Sequence, residues 1–413
     1  MSRDALGMLR RIEPMHKKPA HCPRGRRYTA KMRIGSRLAE LAISDIRAMS
    51  LACQAVGGIN LGQGVCDLPT PPLVAQGATL AIAENKAIYA PPAGLEALRA
   101  AVAQKIARSY GQNYDPASEV VITSGATGGF AAAVLALCEP GDEVILFEPY
   151  YGYHLNTLLT LGVKPVLVPL SPPDWQITGE ALARAVTSRT RGIVVCTPSN
   201  PAGKVMSQAD LSLLASFCDA HDLIAFTDEI YEHIVFDGLK HLQLSAQPGM
   251  RARCVTISGL SKTFSITGWR VGYLTAPASV VPKITVAHDL LYVCAPTPLQ
   301  YGALAGLAAP ESYFAELSAT YQRKRQILCS ALADAGLTPY WPSGAYYVLC
   351  DARKLQCKTA REAAMKLLHN VGIASISGTS FYRDPIGETI LRFCFAKEDE
   401  VLLEAAKRLR TLA

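Results

Sequence analysis

Residues 192–228 read GIVVCTPSNPAGKVMSQADLSLLASFCDAHDLIAFTD. The stretch opens on a β-rich apolar run, Gly192–Cys196, and breaks at Thr197-Pro198-Ser199-Asn200-Pro201-Ala202-Gly203, a string of turn formers. Residues 207–220 read as a helix, and Leu223–Thr227 is a second apolar run that stops at Asp228. Two strands apolar on both faces, joined by a helix, predict a parallel pair buried on both sides.

The alternation continues in both directions. Val120–Thr123, Val144–Phe147 and Pro165–Val168 precede it, and Cys254–Ser258 and Val271–Thr275 follow, with helices expected over 130–138, from Tyr153, and over 179–187. This predicts an α/β fold with a mostly parallel seven-stranded sheet. Residues 279–335 read as largely helical. Beyond them, strands at Tyr346–Cys350, Gly372–Ser375 and Ile390–Phe395 and helices over 359–369 and 398–411 predict a smaller α+β domain. An amphipathic helix over 38–55 precedes helices over 73–86 and 94–110. If that first helix packs on the smaller domain, the domain is discontinuous. The expected division is a basic, mobile tail over 1–35, small-domain parts over 36–75 and 306–413, and a large domain over 76–305.

The net charge of +7 is concentrated at the N-terminus, where residues 1–37 hold eleven Lys/Arg against two Asp/Glu. The rest of the chain is near neutral, so no nucleic-acid partner is expected. Met32 is an alternative start, and a transit peptide would be basic and acid-poor in the same way. Half the residues are hydrophobic, yet no apolar run reaches the roughly 18 residues a bilayer span needs. The twelve cysteines are scattered without a CxxC pair. That pattern fits reduced thiols in a cytoplasmic protein and no metal site.

In open α/β sheets ligands bind beyond the carboxyl ends of the strands, and four such ends are polar here. Ser124-Gly125-Ala126-Thr127-Gly128-Gly129 follows the first strand of the sheet and could offer a helix N-terminus to a phosphate, or be a plain tight turn. Asn200 lies in the turn after 192–196. Asp228 begins Asp228-Glu229-Ile230-Tyr231 and needs a partner if buried; an ion pair or a helix cap would serve, as would a bound ring nitrogen. Ser258-Gly259-Leu260-Ser261-Lys262-Thr263 surrounds one lysine with small and hydroxylated residues, and Arg270 follows eight residues on. A partly dry lysine has a lowered pKa and can attack an aldehyde, while an arginine suits a phosphate.

Taken together, S-K-T-F-S-I-T-G-W-R-V-G-Y with N-P-A-G and D-E-I-Y upstream, in this order, resembles the fold type I class I/II aminotransferases over roughly residues 38–413. The resemblance implies pyridoxal 5'-phosphate (PLP) as cofactor. It implies that Lys262 joins the cofactor covalently and then moves the substrate proton, and that Asp228 pairs with the pyridine nitrogen. Tyr231 and Asn200 would hydrogen-bond the ring oxygen, and Tyr151, in E-P-Y-Y, would stack on the ring. Backbone N–H groups of Gly125 and Ala126 would bind the phosphate with Arg270 and with Ser258 or Ser261. Tyr89, in A-I-Y-A-P-P-A-G, would reach the phosphate across a homodimer interface. Arg392, in I-L-R-F-C-F-A, would clamp the substrate α-carboxylate, with the Gly64 backbone beside it.

The loop N-L-G-Q-G-V-C-D-L-P-T-P-P and the ending G-I-A-S-I-S-G-T-S-F-Y resemble the kynurenine, glutamine and aromatic aminotransferase branch. Ala126 stands where some aspartate-specific relatives carry lysine, and Ser377 where many relatives have proline. These features imply transfer from amino acids with aromatic or other neutral side chains to a 2-oxo acid such as 2-oxoglutarate or pyruvate. Other PLP reactions on the same site (β-elimination, decarboxylation, oxidative deamination) share its first half. A PLP-sensing regulator would need a winged-helix module longer than the 37 or so residues ahead of the fold. An NAD enzyme fits less well, because no G-x-G-x-x-G opens a helix after the first strand.

Overall fold

The structure, a computed structural model, describes residues 45–412; the basic tail and residues 38–44 of the expected first helix lie outside the described residues. Helix α1 (Asp45–Ala55) and strand β1 (Ile59–Asn60) lead into helices α2 (Pro72–Ala83) and α3 (Glu96–Tyr110). The alternating part comprises β2 (Val120–Thr123), α4 (Gly125–Leu137), β3 (Glu143–Glu148), α5 (Gly152–Thr160), β4 (Lys164–Pro169) and α6 (Gly179–Ala185). It continues through β5 (Thr190–Cys196), α7 (Gln208–Ala220), β6 (Ile224–Asp228), β7 (Cys254–Gly259) and β8 (Gly272–Thr275). Helices α8 (Val281–Tyr292), α9 (Thr297–Leu307) and α10 (Glu311–Asp334) follow. The chain ends with β9 (Thr338–Tyr340), β10 (Tyr347–Asp351), α11 (Ala360–Val371), β11 (Ile373–Ala374), β12 (Ile376–Ser377), β13 (Ile390–Cys394) and α12 (Asp399–Leu409).

The central sheet has seven strands in the order β2-β8-β7-β6-β5-β3-β4, and only β8 runs against its neighbours. Alternate side chains of a strand point to opposite faces, and both faces are covered. Ile193 and Val195 pack with Leu211 and Leu214 of α7, whereas Val194 between them packs with Phe130, Leu155 and Leu158 of α4 and α5. This double burial is why the strands lack a polar face. Helix α7 starts where it does because Ser207 and Asp210 form a reciprocal cap: the serine hydroxyl accepts from the Asp210 N–H, and the aspartate accepts from the Ser207 N–H.

Two expected boundaries move. The helix expected over 130–138 begins five residues earlier, because Gly125, at φ +72°, turns the chain directly from β2 into the helix. The strand expected over Gly372–Ser375 is split into β11 and β12, which lie in different sheets. Strand β1 pairs in parallel with β11, Ile59 opposite Ile373, and the Cys394 N–H donates to the Leu61 carbonyl at 2.6 Å. Residues 45–61 therefore pack with the C-terminal part of the chain. Among the described residues no helix is long and apolar enough to cross a membrane.

Candidate active site

The parallel strands β3, β5, β6 and β7 end at one edge of the sheet, so the residues just past them converge. Asp228, the last residue of β6, is buried. Its Oδ2 lies 2.9 Å from Nε2 of His154, and its Oδ1 accepts from the Ile230 N–H at 3.2 Å. His154, one turn into α5, is itself buried against Phe130 (ring centroids 4.7 Å apart) and the edge of Tyr151 (5.3 Å).

Lys262 follows β7 and points its ammonium toward the rings of Tyr346 and Tyr231, 5.5 and 6.0 Å from their centroids. Burial pushes its pKa down to about 8; the Cys394 and Cys66 thiols act in the opposite direction, and Arg270 adds to the fall. A desolvated lysine gives up its proton more readily, so a large fraction of this amine is neutral in weakly basic solution.

At the start of α4, Arg270 fills the space that a Gly125 side chain would need: a Cβ there would collide with the guanidinium. Arg270 donates to the Thr127 hydroxyl at 2.9 Å and to the Thr267 carbonyl at 3.1 Å. The first N–H groups of a helix have no partner within it, so Gly125 and Ala126 present theirs next to this cation. The buried Ser261 hydroxyl has no hydrogen-bond partner. Ser258 differs, because its hydroxyl donates to Glu232 at 2.9 Å and has the Glu229 carbonyl as an alternative acceptor at 3.2 Å.

Arg392 lies in β13, buried at 1 % exposure. Its guanidinium sits 4.3 Å from the ring of Tyr347 and 4.5 Å from that of Phe381. It donates to Asn200 Oδ1 at 3.1 Å and to the Gly62 carbonyl at 2.7 Å, while its Nε has no partner. The Tyr346 hydroxyl donates to the Gly64 carbonyl at 3.1 Å, and a Cβ on Gly64 would collide with the Tyr347 hydroxyl. An arginine, a neutralising amide and a glycine backbone thus meet at one place.

The model of the family "Aminotransferase class I and II" matches residues 56–409. This chain belongs to the class I and II aminotransferase family. The solved structure of N-succinyldiaminopimelate aminotransferase from Mycobacterium tuberculosis superposes with a TM-score of 0.89 at 36% identity, covering 92% of this chain and 100% of that one. The methionine aminotransferase of Escherichia coli (strain K12) is 36% identical over 91% of this chain and 98% of its own length. Human kynurenine–oxoglutarate transaminase 1 is 31% identical over 85% and 92%, respectively.

Aminotransferases of this family depend on PLP, and the residues present fit that cofactor. An amine of lowered pKa, a buried carboxylate held by a histidine, and a helix N-terminus with an arginine against it suit its aldehyde, ring nitrogen and phosphate, and the orphaned Ser261 hydroxyl is a further free donor. Tyr151 packs beside Tyr153 and His154, and Tyr231 against Tyr346 and Tyr347, both near the same sheet edge. Tyr89 stands apart from this aminotransferase's own site. It is 80% exposed and lines an open cavity of about 770 Å³ with Tyr292, Val293 and Cys294.

Two features were not foreseen. His154 stands three residues beyond Tyr151 in G-Y-H-L, and the signal available was that a buried strand-end carboxylate requires a partner. The second is a buried network behind the site. Glu232 accepts from Lys105, from the hydroxyls of Tyr110 (2.6 Å) and Tyr273 (2.8 Å), and from Ser258. Burial alone would raise the Glu232 pKa, but Lys105, with His233 and His241 adding to its effect, holds the carboxyl well below the usual range. Its neighbour Glu229 is pushed up to about 8 by burial, with the Glu232 charge adding to the rise.

Proposed function

We propose that this aminotransferase takes the α-amino group from an amino acid with an aromatic or other neutral side chain and passes it to a 2-oxo acid such as 2-oxoglutarate or pyruvate, by a ping-pong cycle. The observation that carries the substrate class is the setting of Arg392, whose guanidinium is flanked by the rings of Tyr347 and Phe381. A cation so walled recognises one carboxylate and leaves apolar surface for the remainder of the donor.

When bound, PLP supplies an aldehyde and an electron-withdrawing ring. The protein's residues do the rest. Lys262 would hold the cofactor and, once freed, would move the proton at the substrate Cα. Asp228, steadied by His154, keeps the ring nitrogen protonated. Tyr231 and Asn200 hydrogen-bond the ring oxygen, and Tyr151 covers the ring face. The N–H groups of Gly125 and Ala126, the Ser261 hydroxyl and Arg270 take the phosphate; Ser258 is left to the buried network. Arg392 engages the α-carboxylate, assisted by Asn200 and the Gly64 backbone.

The working form is a homodimer. Ile88, Tyr89 and Leu290 are each more than 70% exposed, more apolar surface than a lone protomer comfortably presents, and Tyr89 would complete the partner's phosphate site. Free thiols suit the reducing conditions of the cytoplasm. The test is a stopped-flow donor panel of phenylalanine, kynurenine, methionine, glutamine, N-succinyldiaminopimelate and aspartate, followed by product identification with several 2-oxo acids. Fast turnover of aspartate alone would overturn the neutral-donor reading, and release of pyruvate, ammonia and the thiol from a cysteine S-conjugate in the absence of an acceptor would favour elimination. A monomer in sedimentation velocity would remove the shared site.

A further inference from the structure

The hydroxyl of Tyr347 is engaged as an acceptor, with the Tyr231 and Tyr346 hydroxyls as its neighbours. It accepts from the Tyr231 hydroxyl at 3.4 Å, a long separation for two hydroxyls, which usually stand about 2.7–2.8 Å apart. Its own proton meets no acceptor among the described residues, although the side chain is 97% buried (3% exposed). Buried hydroxyl protons ordinarily find an acceptor.

Its surroundings indicate what kind of acceptor is missing. The face of the same ring packs on the Arg392 guanidinium, 4.3 Å from its central carbon. Arg392 spends its two terminal nitrogens on Asn200 Oδ1 and the Gly62 carbonyl and leaves Nε, buried, without a partner. Gly64 gives the phenol its room, since any side chain there would occupy the position of the hydroxyl. An unused O–H and an unused N–H, on two residues in contact, call for an acceptor-rich anion.

We infer that Tyr347 donates its hydroxyl proton to the carboxylate that Arg392 engages, as a further substrate-binding contact. The inference rests on the reading of Arg392 as the α-carboxylate clamp. The phenol then has two roles: its face holds the guanidinium flat, and its hydroxyl adds a neutral donor to a charged one. The Tyr347 pKa is raised, chiefly by burial, so the proton stays on the oxygen and remains available for donation.

Binding of unreactive acids separates these roles. 3-Phenylpropanoate and hexanoate, which carry no amino group to transfer, are titrated calorimetrically into the holoenzyme and into the variants Tyr347→Phe, Tyr347→Leu and Arg392→Gln. Tyr347→Phe keeps the ring and is expected to raise the dissociation constant about ten-fold to a hundred-fold, as befits a hydrogen bond to a charged group. Its PLP affinity and melting temperature stay at wild-type values. Tyr347→Leu, which also uncovers the guanidinium, weakens binding further. A Tyr347→Phe protein that binds the acids within two-fold of wild type, while Arg392→Gln does not bind them, overturns the inference and leaves the clamp standing. So does a Tyr347→Phe protein that loses PLP in parallel. Wild-type binding by Arg392→Gln, or no binding by the wild type, brings down the clamp and the inference together.

Discussion

Asp228 and His154, 74 residues apart in sequence, face each other across 2.9 Å with both side chains buried. The carboxylate proposed to serve the cofactor ring is therefore oriented by an imidazole on α5, which is in turn wedged against Phe130. Replacing His154 with Ala removes the hydrogen bond and leaves a buried carboxylate half satisfied, at a cost of about 1–3 kcal/mol. The expected result is a holoenzyme with weakened PLP retention and a kcat/KM lowered at least ten-fold. His154→Asn, which can still donate, should recover part of both. Equilibrium dialysis of PLP and steady-state kinetics check this.

Burial pushes the Lys262 pKa down to about 8. On the proposed assignment the neutral amine is the nucleophile that captures the cofactor. The rate at which apoprotein takes up PLP is therefore expected to climb with pH up to about 8 and to level off above it, as followed by the change in absorbance. A lysine left at its ordinary value would give a rate still rising beyond pH 9. Lys262→Ala should yield no borohydride-stable adduct.

The two candidate serines should separate cleanly. Ser261 has an orphaned hydroxyl, so Ser261→Ala is expected to raise the PLP dissociation constant about ten-fold with little change in apoprotein stability. Ser258 donates to Glu232, so Ser258→Ala should cost about 1 kcal/mol in urea denaturation of the apoprotein and change PLP affinity less than two-fold. The opposite pattern would return the phosphate contact to Ser258.

Glu232 balances the charge of Lys105 in the interior. Glu232→Leu strands that ammonium and should destabilise the apoprotein by about 3–5 kcal/mol. Adding Lys105→Met to Glu232→Leu is expected to restore much of the loss, because two apolar residues of similar size leave no buried charge unpaired. Denaturant midpoints of the two single variants and the double variant complete the cycle.

The sheet was legible because its strands are apolar on both faces and separated by short turns; the runs at 192–196 and 223–227 admit little else. Lys262 and Arg392 stood out in the sequence because each is a lone charge among small or apolar neighbours, and the structure buries both. Three things escaped. Helix α4 began early because a glycine with positive φ at 125 acts as the helix start rather than as part of a loop. His154 lay on a helix face, indistinguishable by spacing from a packed histidine. The fate of Ser258 depended on Glu232, Lys105 and Tyr273, which are dispersed over 168 residues of sequence, and no local pattern joins partners so far apart.

Among the described residues strand β1 pairs with β11 alone, so Ile59 waits for Ile373. A ribosome delivers the strand ends proposed to hold the cofactor well before it delivers the C-terminal strand bearing Arg392. A nascent chain halted near residue 340 would already own its lysine, aspartate and phosphate loop, yet would have no grip on an acid. The same chain would also lack Tyr346, whose ring faces the Lys262 amine, so the dry setting of the lysine, like the clamp, waits for the last strands to be made.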